Sequence, residues 1–401
     1  MTSINTNPED VEFVLTRGVE NIYPTKEALQ AVLLSGKKLR IYAGFDPSAK
    51  SLHIGNAIVL EKLGQFQKLG HQIIFLVGSF TGMIGDPTDK NAARVQLTRN
   101  EVLKNSRLFK LQASHYLKFT GPNPALVKYN HTWHDKISFK DLIALASHFT
   151  VQQMIERDMF QKRLAEQKPI YLHEFFYPLA QAYDSVAMNV DMEIGGNDQT
   201  FNMLCGRSLV RELNHKEKFV LALKLLADPS GKKMGKTEGN IISLDATPDD
   251  MYGQVMAWPD TIIVNAFELC TNISEEQLAD IKKGLLGGMN PKEAKSRLAF
   301  LITELNYDTQ KATAAQNRFE KVFSQKDLEG KMPFLHIKPN LNLMDIVLTT
   351  KPELSKSAAR RLIEQGAVSI NQMAYKDWDK VPPYHANDVL KIGKHEFWKI
   401  K

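Results

Sequence analysis

The 401-residue chain holds only two cysteines, Cys205 and Cys270, far apart in sequence. Two thiols so placed build no disulfide framework and no zinc site, and they point to a reducing cytoplasm. Long apolar runs are missing as well. Ile73-Ile74-Phe75-Leu76-Val77 suits a buried strand and falls far short of the ~20 residues that cross a bilayer. The opening Met1-Thr2-Ser3-Ile4-Asn5 has neither the basic and apolar stretches of a secretory leader nor the Arg-rich character of a transit peptide, so neither is expected. There is no internal repeat and no low-complexity tract. Neither sign of charge dominates: 51 Lys and Arg stand against 45 Asp and Glu, a net charge of +6. That mild excess suits a polyanionic partner and equally an ordinary basic protein. What remains is a globular composition, 43% hydrophobic and 24% charged, with apolar material for a large core and a length that suggests two or three domains.

Three segments follow from the pattern. In the first, residues 1–245, Arg40 to Phe45 reads as a strand ending in the turn Asp46-Pro47-Ser48. Ile54, Ile58, Leu60, Leu63, Phe66 and Leu69 then recur on one helical face, and Gly70 stands where a glycine stops a helix. With Ile73–Val77 next, the order is strand–helix–strand, which predicts parallel pairing in an α/β sheet. The second segment, 246–330, reads as all-helical. Ser274 with Gln277 forms a capping-box pattern and Pro291 opens a long amphipathic helix. Residues 331–341 read as a linker. The third segment, 342–401, is small: Ser355 or Ser357 caps a helix that ends at Gly366, and strands are expected at Val368–Ile370, Val389–Ile392 and Phe397–Ile400. From Leu343 onward, ten Lys and Arg face seven Asp and Glu.

Three constellations carry chemistry. Gly44-Phe45-Asp46-Pro47-Ser48 leads into Leu52-His53-Ile54-Gly55-Asn56 at the start of a helix. Unsatisfied N–H groups and the positive dipole end make such a start an anion site. His53 and Asn56 add donors, and Gly55 allows close approach. Alone, this fits an ordinary capped helix just as well. Gly231-Lys232-Lys233-Met234-Gly235-Lys236-Thr237 offers ammonium groups and a hydroxyl on a glycine-punctuated loop. Such a loop closes over phosphates or is simply a solvated charged loop; it is not a Walker A motif. Tyr177, Gln181 and Asp184 fall at i, i+4 and i+7, one face of a helix. They suit a polar small-molecule site or a structural hydrogen-bond cluster.

In combination these stretches resemble class I aminoacyl-tRNA synthetases, whose paired signatures have the forms His-Ile-Gly-His and Lys-Met-Ser-Lys-Ser. The second signature lies about 180 residues after the first. Asn56 replaces the second His, and Gly235 and Thr237 replace the two Ser. Asn56 still donates a hydrogen bond but carries no charge. Tyr177 to Asp184, Ile194-Gly195-Gly196-Asn197-Asp198-Gln199 and Thr81-Gly82-Met83-Ile84-Gly85-Asp86-Pro87 narrow the resemblance to bacterial-type tyrosyl-tRNA synthetases. So does Ser357-Ala358-Ala359-Arg360-Arg361, which looks like an RNA-binding fold first known from a ribosomal protein. The tryptophanyl enzymes share the fold and both signatures; the Tyr177/Gln181/Asp184 face and the C-terminal segment favour tyrosine.

The resemblance implies a Rossmann-like catalytic domain, a helical anticodon-binding domain and a small α+β RNA-binding domain. It implies ATP as substrate with accompanying Mg²⁺ and no dedicated protein metal site, and tRNA(Tyr), L-tyrosine and a second copy of the chain as partners. Carried over residue by residue, Tyr42 and Asp184 would hold the substrate's phenol, and Asp86, Tyr177 and Gln181 its ammonium. Asp198 would take the ribose hydroxyls. Gly44 and Gly196 would let the nucleotide approach, with Leu225 and Leu226 offering backbone groups to adenine. Asp46, Gly55 and Gln199 would complete the ATP site. Ser48, His53 and Asn56 would face the departing phosphates, and Lys90, Arg94, Lys233, Lys236 and Thr237 would close over pyrophosphate. Lys356, Arg360, Arg361, Lys391 and Lys394 are the expected tRNA contacts.

Overall fold

Two almost wholly apolar stretches, Arg40–Phe45 (β2) and Gln72–Val77 (β3), form the centre of a sheet and pair in parallel, with Tyr42 opposite Ile74 and Gly44 opposite Leu76. Both run buried for most of their length, as strands covered on both faces must be. The other strands are Val19–Tyr23 (β1), Leu126–Tyr129 (β4), Met192–Gly196 (β5) and Phe219–Leu223 (β6). Their order is β1-β6-β5-β2-β3-β4, parallel except for β1 against β6. The chain lays β3 and β4 on one side of β2, then β5 and β6 on the other. The direction of winding therefore switches between β2 and β5, where open α/β sheets bind their ligands.

This is a computed structural model, and it describes residues 3–86, 96–227, 242–323, 333–337, 341–371, 373–386, 388–393 and 396–401. The chain divides into two units, residues 1–316 and 317–401. In the first, helix Ile54–Lys68 follows β2 and stops as expected, with Gly70 at φ +98°. Helices Phe176–Ala187 and Thr200–Leu213 pack against each other beside β5. The helical part runs from Pro248–Met256 through Pro291–Asn306, and Ser274 accepts from the Gln277 amide at the start of helix Glu275–Leu286. The Tyr116 hydroxyl donates to Asn306 Oδ1 at 2.8 Å and ties that part to the α/β part. The break expected at 245/246 thus falls inside one unit.

The second unit has a five-stranded sheet, order β7-β11-β10-β8-β9. Its strands are Phe334–Leu335 (β7), Val368–Ile370 (β8), Met373–Ala374 (β9), Val389–Ile392 (β10) and Glu396–Ile400 (β11). Helices Leu343–Thr350 and Lys356–Glu364 close a small core of Leu343, Ile346, Val347, Ile363, Val368, Leu390 and Ile392. Ser355 is the N-cap, accepting from the Ala358 amide. One expectation is corrected: Phe334 and Leu335, read as part of a linker, form a short strand parallel to β11. Two apolar residues find partners on an open sheet edge, which local sequence does not reveal.

Candidate active site

A cavity of about 350 Å³ opens at the carboxyl ends of β2 and β5, at the switch in winding. Its wall brings together residues spread over more than 180 positions. β2 and the turn after it supply Tyr42, Gly44, Asp46 and Ser48, and the start of helix Ile54–Lys68 supplies His53, Gly55 and Asn56. Helix Phe176–Ala187 supplies Tyr177, Gln181 and Asp184, and β5 with its following turn supplies Glu193, Gly196, Asp198 and Gln199. Asp86, Leu225 and Leu226 also line it. Every expected tyrosine and ATP residue among the described residues of the first unit is therefore in one cavity. Lys90, Arg94, Lys233, Lys236 and Thr237 lie outside the described residues.

Asp184 is 2% exposed and receives three donors. Oδ1 accepts from Trp133 Nε1 at 2.7 Å and pairs with His134 Nε2 at 2.7 Å; Oδ2 accepts from Asn130 Nδ2 at 3.2 Å. Phe80 stacks on the His134 ring, centroids 4.6 Å apart. Burying a carboxylate is costly unless it is hydrogen-bonded, and these groups meet that cost. None of them was singled out from sequence. The signal was Asn130-His131-Thr132-Trp133-His134, a polar and aromatic cluster directly after β4.

Asp46 and Asp86 are held differently. Asp46 Oδ1 accepts from Thr81 Oγ1 at 2.6 Å and Oδ2 from the Tyr177 hydroxyl at 2.9 Å. Burial pushes its pKa up to about 7; those two bonds oppose the rise, while Asp86 and Asp184 add to it. Gly78 makes this contact possible, since a Cβ there would stand 1.8 Å from Asp46 Oδ1. Asp86 Oδ2 accepts from Gln199 Nε2 at 2.6 Å, and Arg157 Nη2 lies 4.0 Å from Oδ1. Gln199, expected on the nucleotide side, thus supports a residue expected on the ammonium side.

Beneath the cavity is a buried ion pair that sequence reading missed. The Lys218 ammonium bonds Glu193 Oε2, Ser185 Oγ at 2.8 Å and the Met203 carbonyl at 3.2 Å. Burial draws the Lys218 pKa down and Glu193 draws it up, leaving it lowered. Glu193 Oε1 accepts from Gln181 Nε2 at 2.9 Å, and Ser185 Oγ lies 2.8 Å from the Tyr42 hydroxyl.

At the helix start, Asn56 Oδ1 accepts from the His53 amide at 3.0 Å, a cap that a second histidine would not supply in this way. Gly55 makes room for the His53 ring, since a Cβ would meet its Cε1 at 3.0 Å. A Cβ on Gly196 would fall 2.5 Å from Asp198 Oδ1, whereas one on Gly44 would make only ordinary contact, 3.9 Å from Leu76 Cδ2. The chain that follows the second signature comes back to the first. The Ile54 amide donates to the Ile242 carbonyl at 2.9 Å and the Leu244 amide to the Leu52 carbonyl at 2.8 Å. Residues 225–226 and 242–244, which flank the lysine segment, thus lie at the cavity wall and at the helix start.

In the second unit Lys356, Arg360 and Arg361 are exposed on one helix and Lys391 is half-buried on β10. Arg360 pairs with Glu364 at 2.7 Å and covers the Trp378 ring at 4.9 Å. Lys394 lies outside the described residues. Among the described residues no helix is long and apolar enough to cross a membrane, and no three His, Cys, Asp or Glu are grouped to hold a metal.

Comparison with known proteins gives three findings. The family model described as tRNA synthetases class I (W and Y) matches residues 34–324. A tyrosine–tRNA ligase of Moorella thermoacetica is 41% identical over 393 residues, 96% of this chain and 94% of that one. One from Thermotoga maritima is 38% identical over 395 residues, 98% of each. Among solved structures, a C-terminally truncated mitochondrial tyrosyl-tRNA synthetase of Coccidioides posadasii superposes with a TM-score of 0.64 at 23% identity, over 77% of this chain and 91% of that one. The tyrosyl-tRNA synthetase of Archaeoglobus fulgidus complexed with L-tyrosine gives 0.60 at 18% identity, over 77% and 100%. At such identities the structures speak for the fold alone.

Proposed function

The chain belongs to the class I tRNA synthetases for tryptophan and tyrosine, and its reaction is that of a tyrosine–tRNA ligase; on that premise we propose which residues carry each step. Tyrosine enters with its phenol toward Tyr42 and Asp184. A phenol both donates and accepts a hydrogen bond, and these residues offer a hydroxyl and a carboxylate, 0% and 2% exposed. That pair is the observation that carries the reading. Phenylalanine would offer neither of them a hydrogen bond while covering both, a cost that rejects it strongly; tyrosyl enzymes are the known example of this rule.

Asp86, Tyr177 and Gln181 take the ammonium. Asp198 takes the ribose, and the backbone at Leu225 and Leu226 faces adenine. The tyrosine carboxylate, already ionised, attacks the α-phosphorus of ATP. A carboxylate–phosphorus bond forms, the bond to the β-phosphate oxygen breaks, and pyrophosphate leaves. No general base is needed, so the protein contributes positioning and charge stabilisation. Ser48, His53 and Asn56 at the helix start, with Lys90, Arg94, Lys233, Lys236 and Thr237, receive the phosphate charge. Mg²⁺ would come with the nucleotide and would neutralise phosphate charge. In the second step a hydroxyl of the tRNA's terminal ribose attacks the tyrosyl carbonyl and AMP leaves.

The helical part meets the anticodon arm, and the C-terminal unit adds phosphate contacts through Lys356, Arg360, Arg361, Lys391 and Lys394. The enzyme works in the cytoplasm as a homodimer. Phe139, Ile143, Val151 and Leu172 are 57–78% exposed, and a second copy would cover such apolar side chains. The test of the activity is ATP–pyrophosphate exchange with each amino acid in turn. Tyrosine alone should drive it; exchange driven by tryptophan and not tyrosine overturns the assignment.

A further inference from the structure

Gln181 lines the cavity, and its two amide ends are in different situations. Nε2 donates to Glu193 Oε1 at 2.9 Å, while Oε1 is buried and has no hydrogen-bond partner. A buried acceptor left unpaired costs stability, and its natural complement is a donor on a ligand. An amide is ambiguous, because rotation by half a turn exchanges acceptor for donor. Something must choose the orientation. Glu193 accepts only, so it takes the N–H end of Gln181. Lys218 in turn holds Glu193: its ammonium bonds Oε2, and the two side chains are 0% and 3% exposed. The site is shaped for this lysine. A Cβ on Gly206 would stand 2.5 Å from Lys218 Nζ and 2.9 Å from Ser185 Oγ.

We propose that Glu193, anchored by Lys218, is a positioning residue for tyrosine activation: it locks the Gln181 amide so that its carbonyl oxygen is the end offered to the substrate's ammonium. The chain of bonds is directional. Lys218 only donates, Glu193 only accepts, and Gln181 must donate to Glu193, which leaves its oxygen for the ligand. This inference rests on the tyrosine reading above.

The wiring makes an unusual pair of variants informative. In Glu193→Gln, Lys218 claims the new amide's oxygen, so its NH₂ turns to Gln181. Gln181 must then rotate to accept, and it presents NH₂ to the ammonium. In the swapped double variant, Glu193→Gln with Gln181→Glu, Lys218 still donates to the amide oxygen. The amide NH₂ donates to one oxygen of the carboxylate introduced at position 181, and the other oxygen remains for the ligand. Atoms and net charge equal those of the wild type, so the swap also guards against loss of fold.

The experiment measures tyrosine KM and ATP KM by pyrophosphate exchange, with melting temperatures, on all three proteins. The single variant should raise tyrosine KM about tenfold or more, the scale of a hydrogen bond to a charged group, and leave ATP KM within about twofold. The swap should recover most of the lost tyrosine affinity. A merely structural role would move both KM values together and would give no recovery. Tyrosine KM unchanged in the single variant overturns the proposal, and so does a folded swap no better than the single variant. If the wild type shows no tyrosine-dependent exchange, the functional reading fails instead.

Discussion

His134 Nε2 lies 2.7 Å from Asp184 Oδ1, and both side chains are almost fully buried, at 2% and 3% exposure. The histidine comes from the segment after β4 and the aspartate from helix Phe176–Ala187, so the contact joins two elements that share no local sequence. Its effect is to fix the direction in which Asp184 meets a ligand. Replacing His134 by Ala removes one of three donors and the ring on which Phe80 stacks. Bonds to charged groups are worth about 1.5–3 kcal/mol, so tyrosine KM should rise about tenfold with ATP KM little changed. Steady-state exchange assays with each substrate varied check this; equal losses for both substrates would mean that His134 supports the fold alone.

The lysine segment should act late. Lys233→Ala and Lys236→Ala are expected to slow adenylate formation far more than they weaken tyrosine binding, the mark of contacts made mainly in the transition state. Stopped-flow adenylate formation set beside equilibrium tyrosine binding separates the two. Equal losses would place the lysines in the amino-acid pocket.

Asp46 gives a pH dependence whose sign is fixed. Burial raises its pKa to about 7, above the ordinary carboxylate value of 3.8. The folded protein therefore holds this proton more tightly than the unfolded chain. That stabilisation is full below pH ~4 and is lost as pH rises toward 7. An ammonium arriving in the same cavity favours the ionised form, so tyrosine binding must release the proton below pH 7. Tyrosine KM should rise as pH falls from 7.5 to 6, about tenfold per unit at most. In Asp46→Asn the profile should be flat over that range, at whatever affinity remains. A wild-type KM independent of pH there contradicts this role for Asp46.

The C-terminal unit should matter for tRNA and not for adenylate chemistry. A chain ending near Pro339 is expected to catalyse pyrophosphate exchange and to sediment as a dimer, yet to charge tRNA poorly, and more so as salt rises, because phosphate contacts are screened. Full charging by that chain would remove Lys356, Arg360, Arg361 and Lys391 from the tRNA site.

Much of the site was legible because its signals are local. Periodicity placed Tyr177, Gln181 and Asp184 on one helical face, and the strand–turn–helix order placed Gly44 and His53 together at the end of one strand. The β2–β3 pairing and the cap at Ser274 followed from residue type and spacing alone, while spacing left Ser355 and Ser357 as alternatives and the structure selects Ser355. What escaped depends on distance in sequence. The donors around Asp184 lie 50 to 54 residues before it, and Lys218 lies 25 residues after Glu193. One signal was present for the acid: Glu193 stands between Met192 and Ile194 within strand β5, whereas Lys218 ends the charged run Lys216-Glu217-Lys218 just before β6 and gave none. Charges with no other means of burial must find each other. The short strand β7 escaped because two residues carry no period.

On the proposed reading, tyrosine specificity rests on phenol recognition by Asp184. The measurement is kcat/KM for tyrosine over phenylalanine in pyrophosphate exchange, compared between the wild type and Asp184→Asn. The substitution keeps the shape and removes the charge that accepts the phenol proton. Tyrosine kcat/KM should fall at least about tenfold, the phenylalanine value should change far less, and the ratio should collapse accordingly. A folded Asp184→Asn enzyme that keeps the wild-type ratio would contradict recognition of the phenol by this carboxylate.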